Sequence, residues 1–234
     1  MYAVHKKITK RVDSVHMGMR MSVGTIGPAP RSTYRHGDLR RSLLAAGIAL
    51  AQDGGPEAVV LREATRRAGV APNAAYRHFA SREALLQVVR AAALARLALA
   101  IEAELAAIGR RRHAAAFARA SLRAVGTAYL RFALDETGLF RTAFAPRHDV
   151  ADAGDGAMSG SSGLNPFQLL GVALDRLVEA GALPRERRPG AEYLAWSAVH
   201  GLAMLALEGP LRRMGRAELD AIGKRLLDLV EKGL

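Results

Sequence analysis

The chain is 234 residues long, half of them hydrophobic, with few aromatics and a formal charge of +12. That length allows one or two compact units with a sizeable core, and the lack of any cysteine excludes disulfides and thiolate metal sites. The positive charge implies a polyanionic partner or an arginine-rich background, and its distribution helps to decide: residues 1–90 hold 15 Lys and Arg against 6 Asp and Glu, residues 91–234 hold 19 against 16.

The excess therefore lies in the first part of the chain, where a phosphate-facing module would need it. Residues 1–33 mix Lys, Arg, Gly, Pro and Met without apolar periodicity, and Gly27-Pro28-Ala29-Pro30 opposes regular structure. They read as a disordered basic arm. Two readings stand side by side: a tail adding phosphate or minor-groove contacts, or an upstream extension without a role, since Met17, Met19 or Met21 offers an alternative start.

A first helix is expected from Tyr34-Arg35-His36-Gly37-Asp38, capped by Gly37 or Asp38, with Leu39, Leu43, Ala46 and Leu50 facing the core. Asp53-Gly54-Gly55-Pro56 ends it. The stretch Ala58–Phe79 then reads as two short helices joined by a tight turn. Leu61, Ala64, Thr65 and Ala68 recur at i, i+3, i+4 and i+7. Gly69 stands where a left-handed stop is needed, and Pro72 where a new helix begins. Ala75 and Phe79 face inward, leaving Asn73, Ala74, Tyr76, Arg77 and His78 outward. A short cationic helix held at an angle by its predecessor suits a DNA major groove.

Ser81-Arg82-Glu83-Ala84 opens a long helix whose buried stripe (Leu86, Val89, Ala93, Leu97, Ala100, Ile101, Ile108) runs to Gly109. It would mechanically link the two halves of the chain. After a break at Gly109–Arg112, helices are expected over 113–136 and 139–145, then a polar, glycine-rich loop over 146–163. Asn165-Pro166 starts a helix to Ala180, and closing helices span 191–208 and 216–232. No run approaches the roughly 20 uninterrupted apolar residues of a membrane span, and the basic N-terminus lacks the apolar core of a secretory signal. A soluble cytoplasmic protein without a membrane partner is expected.

The run Arg62-Glu63-Ala64-Thr65-Arg66-Arg67-Ala68-Gly69-Val70, with Tyr76-Arg77-His78-Phe79, Ser81–Leu86 and the lead-in Tyr34–Arg40, resembles the TetR family of bacterial transcriptional regulators. Trp196-Ser197-Ala198-Val199-His200-Gly201 resembles the Trp…His-Gly signature of one of its C-terminal domain classes. Val60 and Ala71 depart from the pattern, standing where members often carry a capping Ser or Thr, and Ala64-Thr65 and Ala75 are smaller than usual. The resemblance implies an all-α protein, with a helix-turn-helix DNA-binding domain over 34–80 and a helical ligand-binding and dimerisation bundle over 81–234. It implies a homodimeric regulator, most simply a repressor of a palindromic double-stranded DNA operator relieved by a small-molecule effector.

By that match Tyr76 approaches a DNA phosphate, with His78 and Arg82 on the backbone nearby. Arg62, Asn73 and Arg77 are candidates for base edges, since Arg bridges guanine and Asn adenine, and Ala74 for a thymine methyl. Arg66, Arg67 and Arg77 also read as an ordinary solvated helix face. In the second half Phe117, Tyr129, Phe132, Phe140, Phe144, Phe167, Tyr193 and Trp196 are candidates to line a cavity, with His200 or Arg131 as polar anchors; each also reads as plain core. Leu194, Leu202 and Leu205 on one closing helix and Leu219, Ile222 and Leu226 on the other form stripes for a four-helix dimer interface or for one chain's own core. No cofactor is expected, no cluster has metal spacing, and no acid, base and nucleophile gather as an enzyme requires. The remaining alternative is a ligand-binding or scaffolding dimer without DNA function, suggested by the small residues of the first core.

Overall fold

The structure, a computed structural model, describes residues 36–109, 113–145 and 156–234. The basic arm and the break at Arg110–Arg112 lie outside them, as does the first part of the expected glycine-rich loop. Among the described residues the chain is all-helical: α1 (His36–Gly54), α2 (Leu61–Ala68), α3 (Pro72–Ala75), α4 (Arg82–Ala106), α5 (Ala114–Asp135), α6 (Thr137–Ala143), α7 (Pro166–Glu179), α8 (Ala191–Leu207) and α9 (Arg216–Gly233). Residues 34–234 make one compact unit.

α1 is already helical at His36, so Gly37 and Asp38 lie inside its first turn rather than ahead of it. Its Leu43, Ala46 and Leu50 are buried as their spacing predicts, against α2, α4 and α6. α2 buries Leu61, Ala64 and Thr65 and stops at Gly69, whose φ of 67° is left-handed and free of penalty only for glycine. The Gly69 amide donates to Arg66 O and the Val70 amide to Thr65 O, which closes the helix end. Neither Val60 nor Ala71 supplies a side-chain cap, and Pro72 at the first position of α3 reduces the number of amides left open.

Ser81 Oγ accepts from the Ala84 amide at 3.1 Å and starts α4. The helix ends at Ala106, three residues short of the expected Gly109. Its Leu85, Val89, Ala93, Leu97 and Ile101 are all but inaccessible to solvent, because α4 packs on α1 at one end and on α5, α6 and α7 at the other. By length and composition alone α4 is apolar enough to pass for a membrane span, with a mean hydropathy of 1.8 over its apolar window, although Arg90, Arg96 and Glu102 interrupt its apolar run. Half of that window is buried inside the protein, as befits the central helix of a fold. α5 packs against α4, α7, α8 and α9, its small buried residues (Ala118, Ala124, Ala128, Ala133) letting neighbours close in.

Residues 160–164 of the expected loop are tightly held. The amides of Ser161 and Ser162 donate to the Glu102 carboxylate of α4 at 2.9 and 2.8 Å, and Ser162 Oγ donates at 2.5 Å. Burial works against the charge of Glu102, yet these donors outweigh it and hold its carboxyl below the usual range. Asn165 then caps α7 reciprocally with Gln168: Asn165 Oδ1 accepts from the Gln168 amide, and Gln168 Oε1 from the Asn165 amide, both at 2.9 Å.

Candidate nucleic-acid interface and internal cavity

The outer face of α2 and α3 divides its cations into two groups. Arg66 grips Glu63 with two hydrogen bonds, of 2.9 and 2.6 Å, and Arg67 bridges Asp53 at 2.8 Å and Glu63 at 3.6 Å. The Arg66 bonds hold the Glu63 carboxyl low. These two follow the solvated-face reading. Arg62 and Arg77 make no ion pair among the described residues, and both are exposed. Arg62 and Tyr76 line one cleft between α2 and α3, together with Leu61, Thr65 and Pro72. Tyr76 is 59% exposed, an unusual state for a large aromatic side chain. Asn73 is exposed, while Ala74 and His78 are half-buried.

Inward-facing residues fix that presentation. Ala75 and Phe79 are buried against the first core, and the Arg40 guanidinium lies 5.3 Å from the Phe79 ring centre. Arg82 donates to Pro56 O at 2.6 Å, tying the start of α4 to the turn at Pro56–Ala58 ahead of α2. The short helix is therefore held from behind by α1 and α2, while Arg82 fixes the start of α4 to the turn ahead of α2.

The second site is a cavity of about 90 Å³ among α4, α5, α7, α8 and α9. Leu94 and Ile101 of α4, Leu122 and Val125 of α5, and Leu170, Val199 and Leu227 give apolar walls. Tyr129, Phe144, Phe167 and Trp196 line it as expected from sequence. Trp196 Nε1 donates to the Tyr129 hydroxyl at 3.0 Å, which lies 2.8 Å from His200 Nδ1. Burial depresses the pKa of His200 and so favours the neutral ring, whose tautomer sets the direction of its hydrogen bond with the hydroxyl. Burial also pushes the Tyr129 phenol up, keeping it protonated.

Other expected lining residues lie elsewhere. Phe117 sits under the Arg176 guanidinium at 5.7 Å, and Phe132 is buried in the core. His200 stands behind the lining residues Tyr129, Phe144 and Trp196, with its ring centre 5.2 Å from that of Phe144 and 5.9 Å from that of Trp196, and Arg131 is ion-paired with Glu104 on the outside of α5. Sequence reasoning passed over Arg123, Met158, Asn165 and Glu231 as lining residues. Arg123 and Glu231 belong to a closed network: Arg123 pairs with Asp228 and Glu231 at 2.6 Å each, and Arg119 with Glu231 at 3.4 Å. Only Asn165 carried a legible signal, the Asn-Pro-x-Gln start of a capped helix, and that signal speaks of capping.

Along α8 and α9, Leu194 is 65% exposed and Leu205 45%, with Leu202, Ile222 and Leu226 half-buried. Leu219, expected at an interface between copies, is buried within its own chain. Its turn of α9 faces α5, alongside Gly223 and Leu227. Among the described residues no cluster of His, Asp and Glu has the makings of a metal site.

Two family models match the chain: "Bacterial regulatory proteins, tetR family" over residues 43–89 and "Tetracyclin repressor-like, C-terminal domain" over 122–230. No curated protein matches the sequence. Among similar solved structures, a protein of unknown function from Rhodococcus sp. RHA1 is 27% identical, with a TM-score of 0.67 over 87% of this chain and 99% of that one. The transcriptional regulator FadR from Bacillus subtilis, solved in complex with stearoyl-CoA, is 14% identical, with a TM-score of 0.61 over 83% and 98%. The regulator PfmR from Thermus thermophilus is 21% identical, with a TM-score of 0.54 over 82% and 98%. At such identities the last two speak for the fold alone.

Proposed function

Because the chain belongs to the TetR family of bacterial transcriptional regulators, we propose that it is a repressor that grips a palindromic operator as a homodimer and releases it when a small effector fills the internal cavity. It works in the cytoplasm, where its DNA is. The observation that carries this reading is α4. Its first turn is tied to the helix-turn-helix through Arg82, and two turns of its second half, at Leu94 and Ile101, form a cavity wall. An effector that fits one tilt of α4 better than another shifts the balance between the two by its difference in affinity. Recognition helices of a dimer must meet half-sites roughly 34–36 Å apart, so a small tilt spoils simultaneous docking.

On the DNA side Arg62, Asn73 and Arg77 read base edges, and Ala74 meets a thymine methyl. Tyr76, His78 and Arg82 hold phosphates. The lack of an ion pair at Arg62 and Arg77 among the described residues supports this assignment, since Arg66 and Arg67 beside them are already neutralised. The apolar exposure of Leu194 and Leu205 supports a dimer formed through α8 and α9. Gel shift against the DNA flanking its own gene tests the reading. Binding is expected to weaken steeply with salt and to vanish in the Tyr76→Phe, Arg77→Ala double variant. Undiminished binding by that variant would mean another face touches DNA, and an effector that leaves operator affinity unchanged would remove the coupling.

A further inference from the structure

The internal cavity has a neighbour. A second cavity, of about 160 Å³, lies between α5, α8 and α9, and the two follow one another along those same three helices. On α5 the first is lined from Leu122 to Tyr129 and the second from Thr127 to Leu134. On α8 the first meets Ala195 to Val199 and the second Leu202 to Ala206. α9 takes them in the opposite order, with Leu219 to Lys224 at the second cavity, then Val230 and Glu231 at the first. Leu227 stands between those two stretches of α9, and among the described residues it is the one that lines both cavities. Its side chain reaches across to α5 and fills the space over Gly126, where even a methyl group would collide with Leu227 Cδ2. One flexible apolar side chain thus stands where the two cavities meet, seated by a close approach that only glycine allows.

We propose that Leu227 is the specificity-determining residue of the effector cavity: it ends the first cavity short of the second, so that the protein takes compact apolar molecules and turns away extended ones. This rests on the reading of the first cavity as the effector site. Arg123 and Glu231 on its wall are paired with each other, so a ligand gains there mainly by burying apolar surface, and only for as long as there is room. An extended chain that met Leu227 would have to force aside a packed side chain, or fold back within a space already filled, and overpacking is destabilising in either case. A compact ring of the same composition meets neither obstacle.

Straight-chain 1-alkanols from butanol to dodecanol, titrated into the full chain without DNA, test this by calorimetry. Fluorescence of Trp196, the only tryptophan and a lining residue, serves as an independent reporter of occupancy. In the parent the dissociation constant should fall roughly fourfold with each added methylene, then stop falling at a limiting length. Leu170→Ala is the reference, because Leu170 is as buried as Leu227 and lines the first cavity alone. It makes room for about two more carbons. Leu227→Ala makes similar room and opens the second cavity as well, so its limit should lie at least about two carbons beyond that of Leu170→Ala. Leu227→Met is close to the parent in volume and so expected to fold. Its unbranched side chain can lie along the passage, and the limit should move outward by about one carbon.

A limit in Leu227→Ala no longer than that in Leu170→Ala overturns the assignment and leaves the cavity as a ligand site. Should Leu227→Ala not fold, an unmoved limit in Leu227→Met overturns it instead. Affinity that climbs without a limit in the parent means that nothing divides the two cavities. Failure of every alkanol to bind the parent and all the variants removes the cavity as a ligand site, and this inference with it. Gel shift is unaffected by any of these results, so an error about Leu227 is distinguishable from an error about DNA binding.

Discussion

The α2–α3 face and the internal cavity solve opposite problems with the same kinds of residue. On the face, charge is left open: Arg62, Arg77 and the Tyr76 hydroxyl are presented to solvent, with no ion pair from the described residues to neutralise the two guanidinium groups. Around the cavity charge is closed: Arg119 and Arg123 are matched by Asp228 and Glu231, and the phenol and indole are bonded to each other. The difference is the one the proposed function expects between a surface that meets a polyanion in water and a pocket that attracts a molecule out of water. An arginine in a motif is thus no evidence of function until its partner is known; Arg66 in α2 and Arg77 in the turn after α3 belong to one motif, and among the described residues only Arg77 is without an ion pair.

The largest expected effect comes from breaking the joint between the two regions. Gly138 of α6 lies so close to α1 that an added Cβ would sit 2.1 Å from Ala51 O and 2.5 Å from Gln52 O. Both are backbone atoms and cannot swing aside. Gly138→Ala should therefore push α1 and α6 apart, costing about 3 kcal/mol or more, the upper range for overpacking, with the urea midpoint as the measure. Operator affinity should fall too, because α1 seats the helix-turn-helix. A midpoint within experimental error of the parent would mean that α6 is free to drift.

Next in size is the contrast among arginines. Arg62→Ala and Arg77→Ala should each weaken operator binding by about 1–3 kcal/mol if they reach base edges, with specificity relaxed at the base each one reads. Arg66→Ala removes a guanidinium already committed to Glu63 and should leave the gel-shift midpoint almost unmoved. Equal losses in all three variants would turn the two groups into one diffuse basic patch.

Much of this was legible beforehand because local chemistry enforces it. The left-handed stop at Gly69, the inward pair Ala75 and Phe79, and the cap at Ser81 each depend on neighbours within four residues. The order of the helices and the register of the α4 stripe followed from periodicity. The cavity was half legible: Tyr129, Phe144, Phe167 and Trp196 line it, but Phe117 and Phe132 do not. Periodicity identifies an inward face, whereas a cavity is a gap between several such faces, and only tertiary packing decides which aromatic borders it. Asn165 was visible as a helix start, whereas its place in the cavity wall depends on how the helices pack. Leu219 misled for a related reason: a stripe on an outer helix looks the same whether it meets its own chain or a copy.

The Glu102 clasp gives a smaller effect with a defined pH sign. Its carboxyl lies below the usual range in the folded protein, so the clasp's contribution is present above the unfolded value and is lost as pH falls through the lowered one. Hydrogen exchange at the Ser161 and Ser162 amides should accelerate as that acid window is entered, beyond the intrinsic pH dependence of exchange. Glu102→Gln should show the faster exchange already at neutral pH. Because the clasp joins α4 to the segment that carries Met158 and Asn165, the variant should also blunt the response of DNA binding to an effector. Unaltered protection of both amides in Glu102→Gln would show that the turn at 160–163 holds itself.

The smallest effect is a gain. Ala71, the residue ahead of α3, has φ and ψ of −67° and 139°, already the extended geometry of a capping residue, but its side chain accepts nothing. Ala71→Ser places a hydroxyl oxygen within reach of the amides of Asn73 and Ala74 in the first turn, at an exposed position. Stabilisation of about 0.5–1 kcal/mol is expected, a rise in melting midpoint of roughly 1–4 °C for a chain of this size. The consequence for DNA binding discriminates more sharply than the stability. If the recognition helix is already held from behind by α1 and α2, a better cap leaves operator affinity where it was. If affinity rises along with stability, the helix frays in the free protein and is ordered by the DNA, and the open face is then completed by its partner.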